Sequence, residues 1–175
     1  MRSPLFPKKI NPWQLTASNG RLEGELALAA LPRLGASNRA DGRVSVSLEG
    51  GVDDRVRFLK GRLRADVELV CQRCLGPLLL PLELGVALGL VRSEAEAARL
   101  PAGYEPLLAT DDGISVAELV EDELLLALPQ IPRHQDLREC EANGYPAPRE
   151  ASSRAERRRP FAALASLLAD SKRST

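Results

Sequence analysis

Leu63, Ala65, Val67, Leu69 and Cys71 occupy alternate positions, with Arg62, Arg64, Asp66 and Glu68 filling the places between as far as Leu69. Such a period of two predicts a strand buried on one face. Leu78 to Leu90 is nearly all apolar, but Pro77, Pro81, Gly85 and Gly89 make it a poor helix, so a second strand broken by bends or bulges is expected. The two segments read as a β-hairpin with Cys71-Gln72-Arg73-Cys74 at its turn, and the rest of the chain is organised around it.

Other segments follow the same logic. Leu22, Gly24, Leu26 and Leu28 alternate with Arg21, Glu23 and Glu25 to predict a strand, and Leu31–Leu34 reads as a turn or helical bend. Val44, Val46 and Leu48 predict a further strand that stops at Gly50-Gly51, with Asp53-Asp54 completing the turn. Val56 and Phe58 then have even parity, whereas Leu63, Val67 and Leu69 are odd, so a bulge near Lys60-Gly61 is needed to keep one apolar side. That bulge would bring Arg55, Arg57, Lys60, Arg62 and Arg64 onto one solvent face.

Helical signals are local. Ser93 with Glu96 caps a helix-favouring Arg92–Arg99 stretch; Tyr104–Thr110 is extended, and Asp111-Asp112-Gly113 is a turn. Ser115 and Glu118 form a capping box for a helix over Val116–Leu128. Val116, Leu119, Val120, Leu124 and Leu128 fall on its buried side, and Glu118, Glu121 and Asp122 on its exposed side. Without a histidine at helical spacing, those acids read as a solvated face rather than a metal site.

The resulting fold class is α+β: an antiparallel sheet, open or partly barrel-like, packed by one main helix. Residues 1–19 form an arm whose Ile10, Trp13 and Leu15 dock on the core, 20–140 the core domain, and 141–159 a flexible linker of polar, Pro- and Ser-rich composition. Residues 160–175 form a short amphipathic segment in which Phe161, Leu164, Leu167 and Leu168 make one stripe. Too short to stand alone, that stripe must dock, either on a protein partner or on the chain's own core.

Charge and composition narrow the function. The 24 basic and 24 acidic residues cancel, so electrostatics must act through local clusters, and an aromatic content of 3% disfavours base-stacking platforms. The clusters are the strip Arg55, Arg57, Arg62, Arg64 and the triplet Arg157, Arg158, Arg159, which can meet phosphates or simply be solvated. Three cysteines with one CxxC spacing suit a reducing compartment rather than a disulfide framework. No apolar run suggests a signal peptide or a membrane span, so a cytoplasmic protein is expected.

The sole histidine, His134, precedes Cys140 by six residues, and the 116–128 helix can return both to the hairpin turn. Cys71, Cys74, His134 and Cys140 would make a Cys3His set of the kind that closes around structural zinc. The alternatives are reduced cysteines packed as small hydrophobes, or redox chemistry. A redox pair is disfavoured because a strand, not a helix N-terminus, follows the CxxC. GxSxG, P-loop and GxGxxG patterns are absent, so an enzyme is not expected.

CQRC, VRSEAEAARLPAGYEPL, VEDELLLALPQIP with the following His134 and Cys140, and the terminal PFAALASLL together resemble the bacterial YceD family, the large ribosomal RNA subunit accumulation proteins. The resemblance runs from about Gly20 to the C-terminus. It implies a non-enzymatic role in 23S rRNA accumulation and large-subunit assembly, with 23S rRNA or a precursor particle as partner and with metal and nucleic-acid binding as possible properties. A protein-interaction adaptor that never touches RNA is the rival reading, and a thiol oxidoreductase a third.

Overall fold

The computed structural model describes residues 6–34 and 42–146. In chain order these form β1 (Lys9–Ile10), α1 (Pro12–Ala17), β2 (Arg21–Ala27), β3 (Arg43–Asp53), β4 (Val56–Val70), β5 (Pro77–Val91), α2 (Glu94–Ala97), β6 (Glu105–Leu108), β7 (Ile114–Ser115), α3 (Val116–Ala127) and α4 (Leu137–Ala142). Two 3-10 turns, Leu28–Ala30 and Pro32–Leu34, follow β2.

The fold is α+β. Strands β2 to β5 pair antiparallel in chain order and β6 joins β5 in parallel, giving one five-stranded sheet with open edges at β2 and β6. The barrel is therefore not closed. A separate two-stranded ladder joins β1 to β7. Among the described residues no helix is long and apolar enough to cross a membrane.

The predicted bulge is absent. Pairing runs unbroken from Val44↔Ala65 to Asp53↔Val56 and from Phe58↔Gly89 to Val70↔Pro77, so Phe58 lies on the outer face, opposite Leu59 and Leu63. It finds partners there: its ring centroid is 6.3 Å from that of Tyr104, and the Lys60 ammonium sits 4.5 Å and 4.6 Å over the two rings. A cation over two aromatic faces shields apolar surface on a face that parity alone would call polar. Gly61 stays in register between Leu48 and Val86, where an added Cβ would strike the Ser47 carbonyl and the Leu48 Cα. Both obstacles are backbone and cannot rotate away. Gly61→Ala is thus expected to cost at least about 2 kcal/mol in denaturant melts, as overpacking against an unyielding neighbour does.

Nor does β3 stop at Gly50-Gly51. It runs to Asp53, and the two-residue turn is Asp54-Arg55, with φ of 42° and 73°. Both central residues are left-handed, which matches the right-handed twist of the flanking strands. Gly50 is glycine for a packing reason: a Cβ there would lie 2.9 Å from the Leu15 backbone, because α1 rests directly on the strand. Phe6, Ile10, Trp13 and Leu15 all pack against the core, and the Trp13 indole donates to the Ala109 carbonyl at 3.2 Å.

The inward faces of β2 to β5 meet Val116, Leu119, Val120 and Leu124 of α3, together with Leu28, Leu31 and Leu34 of the 3-10 turns. Ser115 caps α3 as its sequence predicts, accepting from the Glu118 N–H at 3.3 Å. Glu121 departs from expectation. It is buried, 2% exposed, and accepts hydrogen bonds from the Arg33 and Leu34 backbone N–H groups and from Arg33 Nε at 2.8 Å. The carboxylate thus satisfies the free Arg33 N–H at the start of the Pro32–Leu34 turn and shares the Leu34 N–H with the Leu31 carbonyl. Asp122, on the exposed side, holds the same guanidinium at 2.6 Å.

Candidate metal centre

At the far end of the hairpin from Asp54-Arg55, β4 passes into β5 through residues 71–76. Cys71 N–H donates to the Gly76 carbonyl at 2.9 Å and Leu75 N–H to the Cys71 carbonyl at 2.9 Å, with Leu75 in the left-handed region at φ 59°. This folded-back turn points Cys71 and Cys74 to the same side. Pro129 and Pro132 end α3 and carry the chain across that turn, where Gln72 N–H donates to the Pro132 carbonyl at 2.7 Å. Asp136 then caps α4 through the Arg138 N–H at 2.9 Å, and α4 brings Cys140 inward.

The structure brings Cys71, Cys74, His134 and Cys140 together, with their ligand atoms all within 4.8 Å of one another. Cys71 Sγ and Cys140 Sγ are 3.9 Å apart, and His134 Nδ1 lies 3.5 Å from the sulfurs of both Cys74 and Cys140. Tetrahedral zinc with bonds of about 2.3 Å to sulfur separates its sulfurs by about 3.8 Å. The spacing therefore suits one small ion.

The surroundings suit it as well. His134 Nε2 donates to the Pro77 carbonyl at 2.9 Å, which places the ring proton on Nε2 and leaves the Nδ1 lone pair facing the sulfurs. Backbone N–H groups of Arg73 and His134 each reach Cys71 Sγ at 3.5 Å, as donors do around a metal thiolate. Burial pushes the Cys71 thiol up, but the N–H groups of Cys74, His134 and Arg73 overcome this and bring it down to about 5. Cys140 goes the other way, pushed up to about 11 by burial first and by the neighbouring sulfurs of Cys74 and Cys71 next. Three adjacent thiolates repel, and a bound cation is what allows all of them to ionise.

Residues 141–146, assigned by composition to the linker, belong partly to this wrap. α4 continues to Ala142, Tyr145 N–H donates to the Cys140 carbonyl at 2.9 Å, and the Tyr145 side chain packs on the cysteine cluster. Sequence reasoning did not find α4. Asp136 with Glu139 three positions on is the start signal that would have revealed it.

The basic strip does not form one face. With the register unbroken, Arg62 and Arg64 point outward with Lys60, Arg57 shares the parity of Leu59 and Leu63, and Arg55 lies in the turn. The outward pair is matched by acid: Glu83 lies 2.8 Å from Arg64 and 4.0 Å from Arg62. Arg64 holds the Glu83 carboxyl below the usual carboxylate range, first by its hydrogen bond and then by its charge. Arg157, Arg158, Arg159, Phe161, Leu164, Leu167 and Leu168 lie outside the described residues.

An open sheet packed by α3, with its hairpin turn strapped by a Cys3His cluster, defines a small α+β domain with a set of ligands at one end that could hold a metal ion. The sequence model of one family, described as "Large ribosomal RNA subunit accumulation protein YceD", matches residues 59–168, which include all four cluster residues. A Haemophilus influenzae protein named "Large ribosomal RNA subunit accumulation protein YceD" is 37% identical over 129 residues, covering 70% of this chain and 72% of that protein. The chain belongs to the YceD family. No solved structure matches it.

Proposed function

We propose that this protein is a cytoplasmic, non-enzymatic factor that supports accumulation of 23S rRNA and assembly of the large ribosomal subunit by contacting the rRNA or a precursor particle. Its membership of the YceD family, named for accumulation of large-subunit ribosomal RNA, carries this reading. The only histidine supports the absence of catalysis, since Nδ1 faces the sulfurs and Nε2 a backbone carbonyl, leaving no nitrogen for a substrate proton.

Within this reading the Cys3His cluster holds structural Zn2+, which supplies four bonds across the hairpin turn and the 129–145 return and takes no part in chemistry. Arg55, Arg57, Arg62, Arg64 and Arg157–Arg159 meet phosphates without reading bases. Arg62 and Arg64 must give up Glu83 to do so, which makes Arg157–Arg159 the larger contributors. Deleting the gene and sedimenting the ribosomes tests the proposal. A lowered 50S fraction and lowered 23S rRNA, restored by the full chain, are expected; a normal 50S population overturns it.

A further inference from the structure

A second apolar feature lies away from the metal end. Between the edge strand β6 and the C-terminal half of α3 runs a groove of about 570 Å³, floored by Leu88, Leu107 and Leu119 and walled by Leu126. Leu126 is 76% exposed, on the helix that otherwise supplies the core. Glu105 and Glu123 stand along the rim, beside Asp122, which already holds the Arg33 guanidinium at 2.6 Å. Burial raises the Glu123 carboxyl above its usual range, and repulsion from Glu105 and Asp122 adds to this. Apolar floor and crowded acids together call for an occupant with an apolar stripe and cations beside it.

The chain carries such a segment. Arg157-Arg158-Arg159 directly precede Pro160, after which Phe161, Leu164, Leu167 and Leu168 recur at helical spacing. Three cations at the entry of a helix oppose its dipole, so they gain nothing from the segment itself and need acids supplied from outside. The chain is long enough to deliver them. Ten residues separate Pro146 from Arg157 and span up to about 35 Å when extended, while the end of α3 is only six residues from His134, which lies 3.5 Å from Cys140 in the cluster that Tyr145 packs against. The family match, too, runs through Leu168, the last position of the stripe.

We propose that Arg157–Leu168 docks in cis in the β6–α3 groove, with Phe161, Leu164, Leu167 and Leu168 on its leucine floor and Arg157–Arg159 against Glu105 and Glu123. Bound RNA and the groove then draw on the same three arginines. Occupancy of the groove is independent of any role in ribosome assembly and is measured on the purified protein alone.

The test is the rate of tryptic cleavage after Arg157 and Arg158 in the full chain, followed by mass spectrometry; the Arg159–Pro160 bond resists trypsin and is not used. Docking predicts cleavage at least tenfold slower than in Leu126→Glu or in Leu164→Glu, with the double variant no faster than either single one. Leu126 is exposed, so its substitution leaves the core intact, which Trp13 fluorescence checks. Glu123→Arg should remove the protection as well. Equal rates in wild type and all variants overturn the proposal. Protection that disappears on dilution also overturns it, because the occupant is then a second copy; so does protection seen only after a separate protein is added.

Discussion

Stripping the metal with a chelator is expected to melt one end of the molecule and leave the sheet folded. Cys71, Leu78 and Cys140, with Cys74 and Tyr145 around them, form a cluster separate from the core that joins the sheet to α3. Ordering each residue of the 129–146 return costs roughly 1 kcal/mol or more of backbone entropy. Burial of Leu78 and Tyr145 recovers only about 3–5 kcal/mol. The apolar contacts alone cannot hold the return, whereas four zinc bonds can, since a ligand set that comes together only on folding turns the free energy of metal binding into folding free energy. Purified protein should therefore contain about one equivalent of zinc. After chelation, exchange protection should vanish at the Gln72 and Tyr145 amides, which bond to Pro132 and Cys140, and persist along 44–67 of β3 and β4. Cys74→Ser should reproduce the loss without a chelator. Metal-free protein that keeps both amides protected would sink the zinc reading.

The parts of the fold that the sequence reveals are those written in local patterns. Strict alternation from Arg62 to Leu69 has only one structural meaning, and the Ser115–Glu118 box marks the start of α3 within one turn of helix. Misreadings arise where a residue's partner is distant. Phe58 was expected inside because it is apolar, yet Tyr104, 46 positions later, and Lys60 give it a place on the outer face. Gly50-Gly51 has the look of punctuation, but at Gly50 it is the backbone of α1, from before the first strand of the sheet, that leaves no room for a side chain, and at Gly51 the Phe58 ring. The four cluster residues follow the same division. CxxC is local and visible; that His134 and Cys140 reach it depends on two prolines, a six-residue helix and a hydrogen bond from Gln72, of which only the prolines are conspicuous. Arg62 and Arg64 show the converse, a strip that reads as free positive charge until pairing sets Glu83 beside it.

Glu121→Ala is expected to destabilise the protein by about 3 kcal/mol at neutral pH. The carboxylate is the acceptor for two backbone N–H groups and the Arg33 guanidinium, and its removal leaves the Arg33 N–H without a partner and the Leu34 N–H with only the Leu31 carbonyl at 3.3 Å. Nothing else within the 3-10 turn can replace it, since Pro32 offers no side-chain acceptor and Arg33 only donates. The pH dependence separates this role from simple loss of packing. Burial pushes the Glu121 carboxyl up, but hydrogen bonds from the Arg33 side chain and from the Arg33 and Leu34 backbone outweigh it, so the folded-state value lies below the ordinary 4.5. A group whose folded pKa is depressed contributes its full stabilisation above the unfolded value and loses it as pH falls through the folded one. The wild type should accordingly hold its advantage over Glu121→Gln at pH 6–7 and lose it progressively below about pH 4.5, as the native carboxylate takes up a proton and comes to resemble the amide. Urea midpoints of the two proteins, measured from pH 7 down to the lowest pH at which both refold, would show the curves converging. Parallel curves across that range would mean that the negative charge is not what Arg33 and Leu34 require, and the burial of Glu121 would then need another cause.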